Sequence, residues 1–129
     1  MVPQTSPRYT LLCVDDEVLG LEVRRITLSS QGYKVLTASD GPTGTRLAQR
    51  EHVDLVVLDF SMPGMNGGEV AIALRRIKPG LHILMLSAYV NLPQEVLDQV
   101  DDFQIKGESP QLLFEKISKL LPKSASAAI

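Results

Sequence analysis

Cysteine is almost missing from this sequence, and its scarcity excludes two kinds of site. Cys13 is the single cysteine among 129 residues, so no internal disulfide can form and no cysteine pair offers metal-ligand spacing. Long apolar runs are missing too, because the longest, residues 55–58, is far too short to span a bilayer. Residues 1–9 hold no apolar segment of a secretion signal. The sequence therefore predicts a cytoplasmic protein with no membrane partner.

An excess of charge of one sign is also absent. The chain has 13 basic and 15 acidic residues, a formal net charge of -2. No basic field of the kind that attracts DNA or RNA is present, so we expect no direct nucleic-acid binding by this chain. The composition is that of a globular protein, and the length suits one domain. We expect a single domain over residues 1–129, with its core at about 9–121 and a tail or the start of a linker at 122–129.

Short apolar runs alternate with amphipathic stretches along the chain. The apolar runs predict five strands, at residues 10–14, 33–38, 53–60, 82–86 and 103–105. The stretches that follow them predict helices at residues 17–30, 42–50, 69–77, 93–100 and from 110 to about 120. Because parallel strands need crossover helices of this kind, the pattern predicts an α/β fold built on a parallel sheet.

Residue types along two of these helices indicate which sides are apolar and which are solvated. Leu19, Val23 and Ile26 recur at spacings of four and three and form one face of the first helix. Arg75 and Arg76, in the third helix, are interpreted as a solvated face. Cys13 lies inside the first apolar run and is interpreted as a buried core residue.

Polar side chains follow the predicted strands at their carboxyl ends. Asp15 and Asp16 close the first strand, and Asp59, Ser87 and Lys106 close the third, fourth and fifth. In a parallel sheet these ends meet at one edge, which is where doubly wound folds bind ligands. Three carboxylates there repel one another, and a hard divalent cation such as Mg²⁺ is the natural compensation. With a lysine for positive charge and a serine for hydrogen bonding, the set predicts a phosphoryl site.

The roles within this set follow from position. A carboxylate can attack phosphorus and hold it as an aspartyl phosphate. Asp59 is the expected nucleophile, because it follows the most apolar strand and precedes a glycine-rich loop. Asp15 and Asp16 are placed to hold the metal, directly or through water. Lys106 and Ser87 would each bind one oxygen of the transferred group.

Four segments, in this order, resemble the motifs of one family, the response-regulator receiver domain of two-component signalling. They are LLCVDDE at 11–17, LDFSMPGMNG at 58–67, LSA at 86–88 and FQIK at 103–106, within a resemblance that covers residues 9–121. The resemblance, to the chemotaxis-regulator-like superfamily, implies a flavodoxin-like doubly wound sheet of five parallel strands. The implied strand order is 2-1-3-4-5, with helices on both faces.

The resemblance also implies a donor and a ligand set. A phosphohistidine on a sensor histidine kinase, or on a phosphotransfer protein, would pass its phosphoryl group to Asp59 in a reaction that needs Mg²⁺ or Mn²⁺. The metal ligands would be Asp16, Asp59 and the backbone carbonyl of Ser61, with Asp15 holding a metal-bound water. Such a domain catalyses only its own phosphorylation and dephosphorylation, so it is not expected to be an enzyme.

A switch is implied as well. Ser87 would move towards the phosphate and Phe103 would turn inward behind it. The surface of the fourth helix, fifth strand and fifth helix would then change its partners, either a downstream protein or an attached output domain. A phosphorylation-dependent dimer is a further possibility.

The sequence departs from the family pattern at two places, which leaves alternatives open. Gly107 follows Lys106 where the family usually has a proline, so a cis bond is not expected there. Ser87 and Lys106 are close in sequence, which predicts a short or irregular fourth helix. One alternative is a degenerate receiver that binds protein without phosphate. Another is a phosphohydrolase, although Ser61 stands where its acid/base carboxylate is expected.

Overall fold

A computed structural model of the chain describes residues 8–121, so the tail predicted at 122–129 lies outside the described residues. Five strands alternate with five helices. The strands are β1 (Thr10–Val14), β2 (Lys34–Ala38), β3 (Leu55–Asp59), β4 (His82–Ser87) and β5 (Asp102–Ile105). The helices are α1 (Val18–Ser29), α2 (Gly41–Arg50), α3 (Gly67–Ile77), α4 (Gln94–Leu97) and α5 (Pro110–Leu120).

The strands form one parallel sheet in the order β2-β1-β3-β4-β5, which confirms the predicted fold class. In the sheet, Val14 of β1 lies beside Leu58 of β3, Asp59 beside Leu86 of β4, and Ser87 beside Ile105 of β5. The carboxyl ends of four strands therefore meet at one edge. No helix within residues 8–121 is long and apolar enough to cross a bilayer.

Two apolar layers cover the two faces of the sheet. On one face, α2, α3 and α4 pack their buried residues against alternate residues of β1, β3 and β4, among them Val14, Leu58 and Met85. On the other face, α1 and α5 cover the intervening residues, which include Cys13 and Leu86. Cys13 is fully buried, as predicted, and burial raises the pKa of its thiol to about 12.

The orientation of α1 differs from the expectation that its apolar spacing suggests. Leu19, Val23 and Ile26 do share one face, but they are 83%, 64% and 56% exposed, and the buried residues are Leu21 and Leu28. The face with the most apolar residues is thus turned to solvent. Leu21 and Leu28, one heptad apart, instead pack into the apolar layer that α1 shares with α5.

Helix boundaries follow their caps. Asn66 caps α3 with a reciprocal capping box to Glu69, so the helix begins two residues before the predicted start. Ser109 caps α5 by accepting from the backbone N–H of Leu112, and Pro110 follows at the first helical position, as predicted. The fourth helix has only four residues, which confirms that it is short.

One arginine of α3 has a role that the sequence reading missed. Arg75 was expected on a solvated face, yet its guanidinium donates to the carbonyl oxygens of Gln99, Pro79 and Leu81 and to the carboxylate of Asp101. This clamp ties α3 to the segment between α4 and β5. The neighbouring Arg76 is exposed, as predicted.

Candidate functional site

The carboxyl edge of the sheet collects the polar residues that the sequence singles out. Asp59 and Ser87 are the last residues of β3 and β4, while Asp15 and Lys106 directly follow β1 and β5. The backbone fixes these positions, because the N–H of Lys106 donates to the Ser87 carbonyl oxygen at 2.8 Å. Strand register, rather than loop conformation, therefore positions the candidate residues.

Three carboxylates lie together at this edge. Asp15, Asp16 and Asp59 each offer an oxygen, and these oxygens lie within 4.8 Å of one another. Asp15 is fully buried and Asp59 is 2% exposed, whereas Asp16 faces solvent. The cluster is thus a half-buried acidic site that opens on the side of Asp16.

Lys106 brings a positive charge into contact with two acids of the cluster. Its Nζ lies 3.1 Å from Asp59 Oδ1, 3.2 Å from Asp15 Oδ2 and 3.2 Å from Glu17 Oε1. Burial lowers the pKa of Lys106, but contact with Asp59 and the charge of Asp15 raise it more, so its pKa lies above the usual value. The lysine is therefore held protonated against the acidic residues.

Asp59 is the strongly perturbed acid of the site. Its pKa is raised from 3.8 to about 6, first by burial and then by the charge of Asp15, while Lys106 acts in the opposite direction. Neither of its carboxylate oxygens accepts a well-oriented hydrogen bond from residues 8–121, so the contact with Lys106 is an ion pair. A buried, electron-rich carboxylate of this kind is suited to a metal or to an electrophile.

The residues present fit a divalent cation. The donor set is made of hard carboxylate oxygens, which Mg²⁺ and Mn²⁺ prefer. Neither Asp59 oxygen accepts a well-oriented hydrogen bond from the described residues, although the Lys106 ammonium lies 3.1 Å from Oδ1. Three carboxylates carry more negative charge than Lys106 and Arg24 balance, and a bound cation would offset the remainder.

Asp15 is fixed more firmly than the other two acids. Its Oδ1 accepts from the backbone N–H of Glu17 at 2.9 Å, and its Oδ2 lies 3.1 Å from Nη1 of Arg24. The sequence reading assigned no role to Arg24 or Glu17. Arg24 lies three residues after Leu21 and four before Leu28, the two buried residues of α1, so it is on the inward face of the helix. A basic residue at that spacing is the feature of the sequence that indicates a buried role for Arg24.

Ser87 is engaged by its own loop. Its hydroxyl donates to the carbonyl oxygen of Tyr89 at 3.0 Å and accepts from the N–H of Tyr89 at 2.9 Å. The residue is fully buried, while Tyr89 is 61% exposed. A new acceptor for the Ser87 hydroxyl must therefore displace its bond to the Tyr89 carbonyl oxygen.

The remaining predicted residues lie at the margin of the site. Ser61 is exposed and comes two residues after Asp59. Phe103 is half-buried in β5 and packs against the core layer that includes Met85. No peptide bond in the described residues is cis, as expected for Lys106–Gly107, and Gly107 adopts a positive φ of 93°.

Comparison with known proteins matches this chain to response regulators. A family model described as "Response regulator receiver domain" matches residues 11–118. The transcriptional regulatory protein GlrR of Escherichia coli is 34% identical over 120 residues, which are 91% of this chain and 27% of that protein. The alkaline phosphatase synthesis transcriptional regulatory protein PhoP of Bacillus subtilis is 36% identical over 125 residues, 92% of this chain and 50% of that protein. The chain thus spans between a quarter and a half of these relatives.

Solved structures agree with the sequence relatives. The chemotaxis protein CheY4 of Vibrio cholerae superposes with a TM-score of 0.83 at 29% identity, covering 89% of this chain and all of that one. The response regulator TrrA of Thermotoga maritima, solved in complex with Mg²⁺ and BeF, has a TM-score of 0.83 at 33% identity, covering 88% of this chain and 99% of that one.

Proposed function

This chain belongs to the response regulator receiver domain family of two-component signalling, and from that premise we propose that Asp59 is its phosphoacceptor. The observation that carries the proposal is the state of Asp59, a buried carboxylate without hydrogen bonds from the described residues, beside two further acids and a lysine. We propose that the whole sequence is one receiver domain with its core at about residues 9–121.

The chemical step is a phosphoryl transfer to Asp59. One carboxylate oxygen forms a bond to phosphorus while the bond from phosphorus to the donor breaks. With a phosphohistidine donor the P–N bond breaks, and the imidazole leaves with the electron pair and takes up a proton from solvent. Only the ionised carboxylate can attack, and the raised pKa of Asp59, about 6, means that the carboxyl group is ionised above about pH 6 even before a cation binds.

A divalent cation belongs to this proposal. Asp16, Asp59 and the backbone carbonyl of Ser61 would hold it, with Asp15 acting through a water molecule. Mg²⁺ or Mn²⁺ bound there would supply positive charge beside the oxygens of the transferred group. Asp15 is suited to an indirect role, because Arg24 and the backbone of Glu17 already hold its carboxylate.

Lys106 and Ser87 complete the site. The Lys106 ammonium already lies against Asp59, so it would bind an oxygen of the phosphoryl group once the acyl phosphate forms. The Ser87 hydroxyl would bind another oxygen after it releases Tyr89. Movement of Ser87 frees the loop at Tyr89, and Phe103 would then turn further inward.

This movement would be read by a partner at the surface of α4, β5 and α5. The phosphoryl donor would be a sensor histidine kinase or a phosphotransfer protein. The partner that responds would be a downstream protein or an attached output domain. Relatives that are transcriptional regulators support an attached output domain. A phosphorylation-dependent dimer and a cytoplasmic location complete the proposal, which includes no catalysis beyond the domain's own phosphorylation and dephosphorylation.

The proposal is tested by intact-mass spectrometry. The protein is incubated with Mg²⁺ and acetyl phosphate, beside Asp59→Asn and a sample containing EDTA. One added phosphoryl group in the wild type alone is the expected result. No adduct, together with no binding of beryllofluoride, would favour the degenerate receiver, and turnover of many equivalents of a phosphate ester would favour the phosphohydrolase.

A further inference from the structure

Arg24 is a largely buried arginine on the inward face of α1. Its side chain is 14% exposed, and its Nη1 lies 3.1 Å from Oδ2 of Asp15, whose side chain is fully buried. The next residue, Arg25, pairs instead with Glu22, and both of those side chains are exposed to solvent. A guanidinium that is taken out of water loses hydration, and its ion pair with a buried acid has to offset that loss. The pair of Arg24 and Asp15 is therefore held inside the protein, directly beside the acidic site.

Both carboxylate oxygens of Asp15 already have partners. Oδ1 accepts from the backbone N–H of Glu17 at 2.9 Å, while Oδ2 lies 3.1 Å from Arg24 and 3.2 Å from Lys106. Neither oxygen of Asp59 accepts a well-oriented hydrogen bond from the described residues, and Asp16 is exposed. Asp16 and Asp59 can thus approach a cation directly at a smaller cost than Asp15 can.

Of the two basic residues on Asp15, Arg24 is the more committed partner. The Lys106 ammonium lies within 3.2 Å of three carboxylates, so its charge is divided among them. Arg24 has one salt bridge within residues 8–121, and that salt bridge is to Asp15. Arg24 is therefore the group that keeps Asp15 Oδ2 engaged.

The number of carboxylates that ligate directly affects which cation binds. Mg²⁺ keeps several of its waters and is usually held by about one or two carboxylates, whereas Ca²⁺ takes roughly six to eight oxygen ligands. From these contacts, and resting on the cation site proposed above, we propose that Arg24 is a positioning residue that sets cation specificity. By holding Asp15 back from direct ligation, it limits the site to two carboxylates and favours Mg²⁺ over Ca²⁺. Its own positive charge also weakens the binding of either cation.

The test is a pair of titrations of the full chain, one with Mg²⁺ and one with Ca²⁺, followed by ¹H–¹⁵N NMR. Arg24→Met removes the guanidinium and keeps an unbranched stem. Loss of a unit charge several ångströms from a divalent ion should strengthen Mg²⁺ binding on the order of tenfold. Ca²⁺ binding should gain a further factor on the order of three or more, because Asp15 can then ligate directly. The matched control is Arg25→Met, whose ion pair is with Glu22, and it should change either affinity by less than about twofold.

Three more variants separate the charge of Arg24 from its hold on Asp15. Arg24→Lys restores a cation and should return both affinities towards the wild-type values. In an Asp15→Asn background, Arg24→Met should strengthen Mg²⁺ and Ca²⁺ binding equally, because no third carboxylate is left to ligate. Removing the partner of a buried charge can prevent folding, which urea unfolding in EDTA would reveal. Arg24→Gln keeps a neutral N–H donor at this position, and it should also strengthen both cations on the order of tenfold.

Other results would overturn the inference. They are unchanged or weaker cation binding by Arg24→Met and Arg24→Gln, an equal gain for both cations in Arg24→Met, or a larger gain for Ca²⁺ that persists in the Asp15→Asn background. A wild type that binds neither cation would overturn the proposed cation site and this inference with it. Phosphorylation plays no part in these titrations, so an Asp59 that fails to accept a phosphoryl group would leave them valid.

Discussion

Replacing Asp59 by asparagine should stabilise the metal-free domain, although the change removes the residue on which the proposed function depends. The pKa of Asp59 is about 6 in the folded protein against 3.8 as its ordinary value. At about 1.36 kcal/mol for each pKa unit, a carboxylate ionised at neutral pH costs the fold about 3 kcal/mol. For a domain of this size that gain corresponds to a rise in melting temperature on the order of 10 °C.

The sign of the effect fixes its pH dependence. Because the folded state binds the Asp59 proton more tightly than the unfolded state, ionisation lowers stability as pH rises from about 4 to about 6. The gain in free energy of unfolding from Asp59→Asn should thus reach its full value of about 3 kcal/mol above pH 7. It should be about half as large near pH 5 and nearly zero below pH 4. At low pH the neutral acid and the amide differ little.

Urea unfolding across this pH range, with EDTA present, measures the difference directly. Asp98→Asn, an exposed acid on the far end of α4, is the matched control and should change stability by less than about 0.5 kcal/mol at every pH. A destabilised Asp59→Asn, or a gain that is independent of pH, would refute the electrostatic reasoning. Mg²⁺ should reduce the difference in unfolding free energy between Asp59→Asn and the wild type, because it stabilises the wild type more than the variant.

Three further substitutions test how the fold holds the site. Gly67→Ala should destabilise by about 2 kcal/mol or more in denaturant unfolding, because its Cβ would lie 2.5 Å from the Asp59 carbonyl oxygen; Gly80→Ala, where the added Cβ meets nothing within 4 Å, is the control and should be neutral. Arg75→Met should cost about 2 kcal/mol in the same assay, since it leaves the partly buried carbonyls of Gln99 and Leu81 without this donor, while exposed Arg76→Met should cost less than about 0.5 kcal/mol; equal effects would contradict the role of Arg75 in holding these carbonyls. Gly107→Ala should cost about 1 kcal/mol in thermal unfolding, because alanine at a φ of 93° is strained, and an unchanged melting temperature would contradict that strain.

The sheet is predictable from the sequence because each strand coincides with a short apolar run. Residues 53–60 contain the fully buried β3, and polar residues at the ends of such runs must meet at one edge once the strands are parallel. This reasoning places Asp15, Asp59 and Lys106 at one edge, and the structure brings them into contact there. The strand order and direction alone, without side-chain geometry, are enough to predict that these residues lie close together.

Features that depend on side-chain direction were not predictable from spacing alone. Apolar periodicity on α1 pointed to Leu19 and Ile26, yet both are exposed, because periodicity shows that a helix has a face but not where the face turns. The sequence does not reveal the contacts of Arg75 for a similar reason, since three of its four partners are backbone carbonyls, which leave no trace in composition. That Gln104 Oε1 lacks a hydrogen-bond partner among residues 8–121 is visible only once the packing around it is known.

The central claim is that Asp59, and neither of its acidic neighbours, carries the phosphoryl group. Sodium borohydride reduces an aspartyl phosphate to homoserine, so treatment of the acetyl-phosphate-labelled protein followed by peptide mapping marks the acceptor in the chain itself. The account predicts homoserine at position 59 and unmodified Asp15 and Asp16. Homoserine at position 15 or 16, or a labelled protein in which position 59 stays aspartate, would contradict it.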